Sequence, residues 1–113
     1  MSRSSWKSFV ITQEEISTYA RLSGDCNPIH FDEKEARLAG LAGPCAHGMY
    51  VISKILGMLQ IQEGKTSFTF LTPILVGELV FLRTVQEEEI LSAQVFTEGK
   101  LAIRGKILVQ SCL

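Results

Sequence analysis

The sequence predicts an α+β protein in which an antiparallel sheet wraps around one long central helix. Three observations carry that expectation. The run His47–Leu59 is apolar on nearly every side, with Met49, Val51, Ile52, Ile55, Leu56, Met58 and Leu59 leaving a narrow polar edge of Ser53 and Lys54. A helix of that kind has to be covered on most sides. After it come only strand-like segments, and before it only one strand and two short helices. Segregation of this sort describes α+β rather than an alternating α/β chain.

Taken in order, Lys7–Ile11 reads as an opening strand, with Phe9 and Ile11 on one face and Ser8 and Val10 on the other. Thr12-Gln13-Glu14-Glu15 fits a capping box, in which Thr12 and Glu15 satisfy each other's free backbone donors. The helix it starts carries Ile16, Tyr19, Ala20 and Ser23 along one stripe, and Gly24 is placed to end it in the left-handed conformation. Asp25–Phe31 is a loop, held partly extended because Pro28 disfavours a helical Asn27. Asp32 caps a second short helix, Glu33–Ala39, which Gly40 and Gly43-Pro44 break.

Beyond the long helix, Thr66–Leu71 alternates Phe68 and Phe70, and Thr72-Pro73 interrupts it as a bulge or an edge break. Leu79–Val85 and Ile90–Phe96 flank an acidic hairpin tip, Glu87-Glu88-Glu89. After the Glu98-Gly99 turn, Leu101–Val109 closes the series. Strict alternation there puts Leu101, Ile103, Ile107 and Val109 on one face, with Arg104 and Lys106 on the other. A single curled sheet keeps an open edge, so a homodimer is expected.

The totals bound the function. The 113 residues suit one domain spanning 1–113, and 46% apolar with 20% charged residues describes an ordinary globular chain. A net charge of −1 gives no reason to expect a nucleic-acid partner. No stretch has the ~18 apolar residues of a membrane span, and Met1–Lys7 has no signal-like apolar core. Cys26, Cys45 and Cys112 have no C-x-x-C spacing, which fits a reducing cytoplasm better than a disulfide framework or a thiolate zinc site.

Two polar knots carry the chemistry. Asp25-Cys26-Asn27-Pro28-Ile29-His30 puts a carboxylate and an imidazole five residues apart in a constrained loop, able to converge on one water as general acid and base. The same residues also suit plain Asx-turns. Gly43–Gly48 leads into the apolar helix, and Gly48 at its N-terminus offers free N–H groups to an oxyanion. Together they suggest proton chemistry beside a carbonyl, most simply a thioester. No metal is expected, since two histidines lack a third ligand at suitable spacing. His47 suits a hydrogen bond to a neighbouring loop, and Cys45, two residues before it, lacks the orienting group of a nucleophile.

The run Tyr19-Ala20-Arg21-Leu22-Ser23-Gly24-Asp25-Cys26-Asn27-Pro28-Ile29-His30 resembles the signature of the MaoC-like, (R)-specific enoyl-CoA hydratase family. Pro44-Cys45-Ala46-His47-Gly48-Met49 and Phe70–Glu78 are similar to the family's later motifs, in the same order. The resemblance implies a hot-dog fold, with two subunits pairing their sheets edge to edge. It also implies reversible syn addition of water to a trans-2-enoyl thioester of CoA or of an acyl carrier protein, without a cofactor. In it Asp25 and His30 are catalytic, the Gly48 N–H holds the thioester oxygen, and Asn27 with Pro28 orients the loop. His47 and Ser53 are candidates for support. Leu56 stands where some members carry Ser, and the Gln60–Lys65 connection is short, which bears on acyl length. The alternatives are a hot-dog thioesterase or a non-catalytic acyl-thioester-binding subunit. Thioesterases of this fold generally place an acid on the central helix, and Gly48–Gln62 has none.

Overall fold

A computed structural model describes residues 3–62 and 64–109. Cys112, and Glu63 within the Gln60–Lys65 connection, lie outside the described residues. The elements run β1 (Arg3–Val10), α1 (Gln13–Ser23), α2 (Glu33–Leu38), α3 (Gly48–Met58), β2 (Gly64–Phe70), β3 (Leu79–Glu87), β4 (Ile90–Thr97) and β5 (Lys100–Val109). The strands form one antiparallel sheet in the order β1-β3-β4-β5-β2. The helices lie against it, the hot-dog arrangement.

β1 begins four residues earlier than local composition suggests. Arg3-Ser4-Ser5 has little strand preference of its own, but it is zipped to β3 from Arg3↔Gln86 to Val10↔Leu79. The capping box of α1 forms as expected: Thr12 Oγ1 accepts from Glu15 N–H at 3.1 Å, and Glu15 Oε1 accepts from Thr12 N–H at 3.2 Å. Gly24 closes the helix at φ +81°, where a Cβ would be strained. Ile16 and Ala20 are buried, but Ser23 turns away from the stripe and its Oγ accepts from Asp25 N–H at 3.2 Å. Asp32 caps α2 through Lys34 and Glu35 N–H. Pro28–His30 closes into a single 3₁₀ turn inside the loop.

The sheet departs from strict alternation at one place. Val95 pairs with Ile103 while Phe96 pairs with Leu101, so Ala102 is an extra, bulged residue. The bulge rotates Leu101 to the outer face beside Phe96, away from the face of Ile103 and Ile107. The expectation that Leu101 shares their face fails because alternation cannot register an inserted residue. On the β2 side the Ala102 carbonyl accepts from both Leu71 N–H (2.8 Å) and Thr72 N–H (3.2 Å). β2 ends at Phe70, and the chain around Pro73 leaves the sheet.

Val51, Ile52 and Ile55 of α3 pack on Val80, Leu82, Ala93, Val95 and Ile103 of the sheet, with Ile16 from α1. Each such side chain contributes about 1.5–3 kcal/mol by leaving water. Burial of α3 on most sides is not met within one chain: Met49 is 61% exposed and Ser53 is exposed as well. The sheet covers one face of the helix and leaves the other open.

Candidate active site

The first knot is built by its own side chains. Asp25 Oδ1 accepts from Asn27 N–H at 3.3 Å, and Asn27 Oδ1 accepts from Ile29 N–H at 3.1 Å. The Asx-turns and the functional placement are thus the same structure: the turns aim the Asp25 carboxylate and the His30 ring. Pro28 occupies the first position of the 3₁₀ turn, where its missing N–H costs nothing. Gln13 Nε2 from α1 donates to the His30 carbonyl at 2.9 Å and anchors the far end of the loop.

The second knot is built by distant backbone. Cys45 N–H donates to Ile29 O (3.1 Å), Ala46 N–H to Ile74 O (2.8 Å) and Val76 N–H to Pro44 O (2.9 Å). The segment that left the sheet at Pro73 therefore clamps Pro44–Ala46 against the first knot. Gly48 opens α3, and His47 at the N-cap makes no side-chain cap. The first-turn N–H groups keep their positive end of the helix dipole without a side-chain acceptor. A Cβ on Gly48 would come within 2.8 Å of Phe70 Cε1. A side chain at this position would therefore displace the half-exposed Phe70 ring. Gly48 and Phe70, with Ala46, Val51, Leu71 and Pro73, line a cleft of about 310 Å³.

The two knots bring three functional groups together. One ligand-type atom from each of Asp25, His30 and His47 lies within 4.8 Å of the others. Asp25 is exposed, whereas His30 and His47 are 6% and 3% exposed. His30 Nδ1 sits 2.7 Å from the Cys45 carbonyl oxygen. A carbonyl has no proton to give, so Nδ1 carries the proton and the lone pair of neutral His30 is on Nε2. His47 Nε2 is 2.9 Å from the Asp25 carbonyl oxygen and by the same logic is its donor. The expected loop contact of His47 is therefore present, and its partner is the main chain of the acidic residue.

The imidazoles of His30 and His47 stack, with centroids 3.6 Å apart and planes 22° from parallel. Stacked rings project their lone pairs side by side rather than onto one point. His30 Nδ1 and His47 Nε2 are in addition already engaged by carbonyls. The trio does not fit the converging geometry a zinc ion demands. Cys45 has His30, not His47, as its neighbour, with Sγ 3.7 Å from Nδ1. Burial pushes its thiol up from the ordinary value, opposite to what an attacking thiolate needs. Ser53 makes no hydrogen bond to this group among the described residues.

Sequence reasoning missed the support behind the site. Tyr19 packs on His47 at 4.9 Å between centroids and on Tyr50 at 5.2 Å. The Tyr50 hydroxyl and Lys54 Nζ both donate to Glu15 Oε2. Burial and the Glu15 carboxylate push the Tyr50 phenol up to about 12. Burial alone would raise Glu15, but hydrogen bonds from Lys54, Tyr50 and Thr12 outweigh it and hold the carboxyl below its ordinary value. A helix-facing charge at Glu15 and an aromatic at Tyr50, 35 residues apart, give no linear signal of their meeting.

The fold and this two-part site define a class, and the chain belongs to it: it is a member of the MaoC-like domain family, which matches residues 2–109. The (R)-specific enoyl-CoA hydratase of Aeromonas caviae is 32% identical over 111 residues, covering 85% of this chain and 83% of that one. A mitochondrial 3-hydroxyacyl-[acyl-carrier-protein] dehydratase of Arabidopsis thaliana is 35% identical over 77 residues, 61% of this chain and 45% of the relative. The solved structure of an (R)-hydratase from A. caviae superposes with a TM-score of 0.83 at 26% identity, covering 97% and 95% of the two chains. No helix among the described residues is long and apolar enough to cross a membrane.

Proposed function

We propose that this protein is an (R)-specific enoyl-thioester hydratase, or 3-hydroxyacyl-thioester dehydratase in the reverse direction. One observation carries the reading: single ligand-type atoms of Asp25, His30 and His47 lie within 4.8 Å of one another, and His47 directly precedes Gly48, where α3 begins without a side-chain cap. The Nδ1–H bond to Cys45 leaves His30 Nε2 free to take a proton from water. Asp25 holds the same water and shares its proton. The oxygen adds to the β-carbon, electrons move through the α-carbon to the thioester carbonyl, and Gly48 N–H stabilises the enolate-like oxygen. The proton then returns from the pair to the α-carbon on the same face. Every proton and electron pair stays within water and substrate, so no cofactor takes part.

The 310 Å³ cleft between Gly48 and Phe70 supports an acyl chain entering beside the carbonyl. The protein acts as a cytoplasmic homodimer in this reading. Support comes from the unpaired outer edge of β2 and from the exposed apolar group Met49, Phe70 (50%) and Leu71 (48%) beside it. A monomer by light scattering at micromolar concentration would count against the dimer.

Crotonyl-CoA tests the reaction. Loss of the enoyl absorbance without free thiol is the expected result. Thiol release would instead indicate a thioesterase, and neither signal would leave a binding subunit.

A further inference from the structure

His47 is a buried imidazole with no part in the proton transfer proposed above, and its surroundings are unusual. Its Nε2–H is committed to the Asp25 main-chain oxygen at 2.9 Å. One face of its ring carries the His30 imidazole at 3.6 Å, and Tyr19 packs on it at 4.9 Å. Its Nδ1 is buried without a partner among the described residues. Leaving a buried acceptor unpaired is unfavourable, because the water it gave up is not replaced. As the N-cap of α3 the ring makes no cap either. Both the first-turn N–H groups and Nδ1 thus forgo a bond while the ring stays in this orientation. The hydrogen bond and the stacked contact that orientation does make are with the proposed acid and the proposed base.

We propose that His47 is a positioning residue that holds Asp25 and His30 in register with each other and with the oxyanion end of α3. It does so in two ways. The Nε2–H bond pins the main chain of Asp25, which is otherwise exposed and held by short-range turn bonds to Ser23 and Asn27. The ring face forms a flat wall against which His30 cannot rotate about χ2, so His30 Nε2 keeps its aim. Tyr19, backed by Tyr50 and Glu15, packs on the His47 ring at a tilt and helps keep it in place. Since His47 is adjacent to Gly48 in the chain, the acid–base pair and the oxyanion donor are tied through one residue.

The inference rests on the hydratase reading for its catalytic consequence but not for its geometry, and two measurements separate them. His47→Gln keeps a donor where Nε2 stands and removes the wall. His47→Phe keeps the wall and removes the donor. Each is expected to lower kcat with crotonyl-CoA about 10–100-fold, the scale of ångström misplacement of catalytic groups. KM is expected to stay within about threefold, since no substrate contact is removed. Circular dichroism and thermal unfolding show what fraction is folded at the assay temperature. A loss of kcat no larger than the loss of folded protein, or kcat within twofold of wild type in both variants, overturns the proposal. In the wild-type protein, nitrogen-15 spectra of the histidine rings are expected to show His47 as the Nε2–H tautomer with a slowly exchanging proton. Finding the proton on Nδ1 overturns the proposal whatever the activity. A wild-type protein that shows the pinned proton but does not hydrate crotonyl-CoA supports the positioning geometry and removes the hydratase reading alone.

Discussion

The two halves of the site are held by opposite kinds of interaction. Asp25–His30 is a local structure: Ser23, Asp25 and Asn27 each bond a backbone N–H two residues on. Gly43–Gly48 has no such side-chain turns and is fixed by backbone bonds to Ile29, Ile74 and Val76. The proposed acid and base thus sit on a segment whose turns are encoded in a dozen residues. The proposed carbonyl-binding element sits on one whose shape depends on where the sheet stops. Damage to the first half should be chemical and confined, and damage to the second should spread into the core.

The largest effect is expected from removing the chemistry of the local half. Asp25→Asn and His30→Ala should each lower kcat about 10²–10⁴-fold, the usual span for general acid–base groups. Asp25 is exposed and its variant should keep its stability, whereas His30→Ala also empties a buried site and unpairs the Cys45 carbonyl, so its rate is read per folded protein. Steady-state rates alongside thermal unfolding check this, and near-wild-type turnover in either variant would remove that residue from its role.

Gly48→Ala probes the distant half. Its Cβ would be 2.8 Å from Phe70 Cε1, so β2 and α3 have to separate or the ring has to move. Overpacking of this kind costs about 1–3 kcal/mol, and the displaced N–H should cut kcat as well. If packing is the cause, adding Phe70→Leu should restore most of the stability. A double variant as unstable as the single one would place the strain elsewhere.

Asn27→Ala should cost about 1 kcal/mol, because one turn acceptor is lost from an exposed loop. A denaturant titration with unchanged slope measures it. A drop as large as that of Gly48→Ala would break the contrast between the two halves.

The smallest effects concern pH and the support behind the site. Glu15 titrates below its ordinary value of 4.5 in the folded protein. Its contribution to stability is therefore complete above the unfolded value and is lost as pH falls through the lowered folded value. Tyr50 is raised from 10 to about 12. Its contribution is present below pH 10 and is lost as pH rises from 10 to about 12. Melting temperature against pH should therefore fall at both ends, and Tyr50→Phe should abolish Tyr50's share of the alkaline fall. Glu15 and Lys54 are part-exposed, so water screens the ion pair and the acid-side contribution is small.

Much of the fold was legible where the signal was local. The Thr12 capping box, the Gly24 terminus, the Asp32 cap and the hairpin tips at Glu88 and Glu98-Gly99 appear where the residues placed them. In each case the bond partners lie within four residues. Misreadings occurred where a partner was far away. β1 starts at Arg3 because β3 zips it, and Leu101 turns outward because Ala102 is an extra residue between the Val95↔Ile103 and Phe96↔Leu101 pairs. Of the candidate site, Asp25, His30 and Gly48 could be named because they stand in runs that resemble the family's motifs; the residue types alone also suited plain Asx-turns. Tyr50, Glu15 and the Cys45 carbonyl could not: a tyrosine, a capping glutamate and a backbone oxygen look the same in any surroundings.

The sequence by itself determined which candidate groups stand together and the turns that shape the first loop. An Asx-turn and a proline need no more than their neighbours to take shape. The tertiary structure alone decided that His30 presents Nε2, that His47 lies flat against it, and that Gly48 faces Phe70. Those outcomes depend on contacts between residues 15 or more positions apart, and only the closed sheet with its helix brings them within hydrogen-bonding distance.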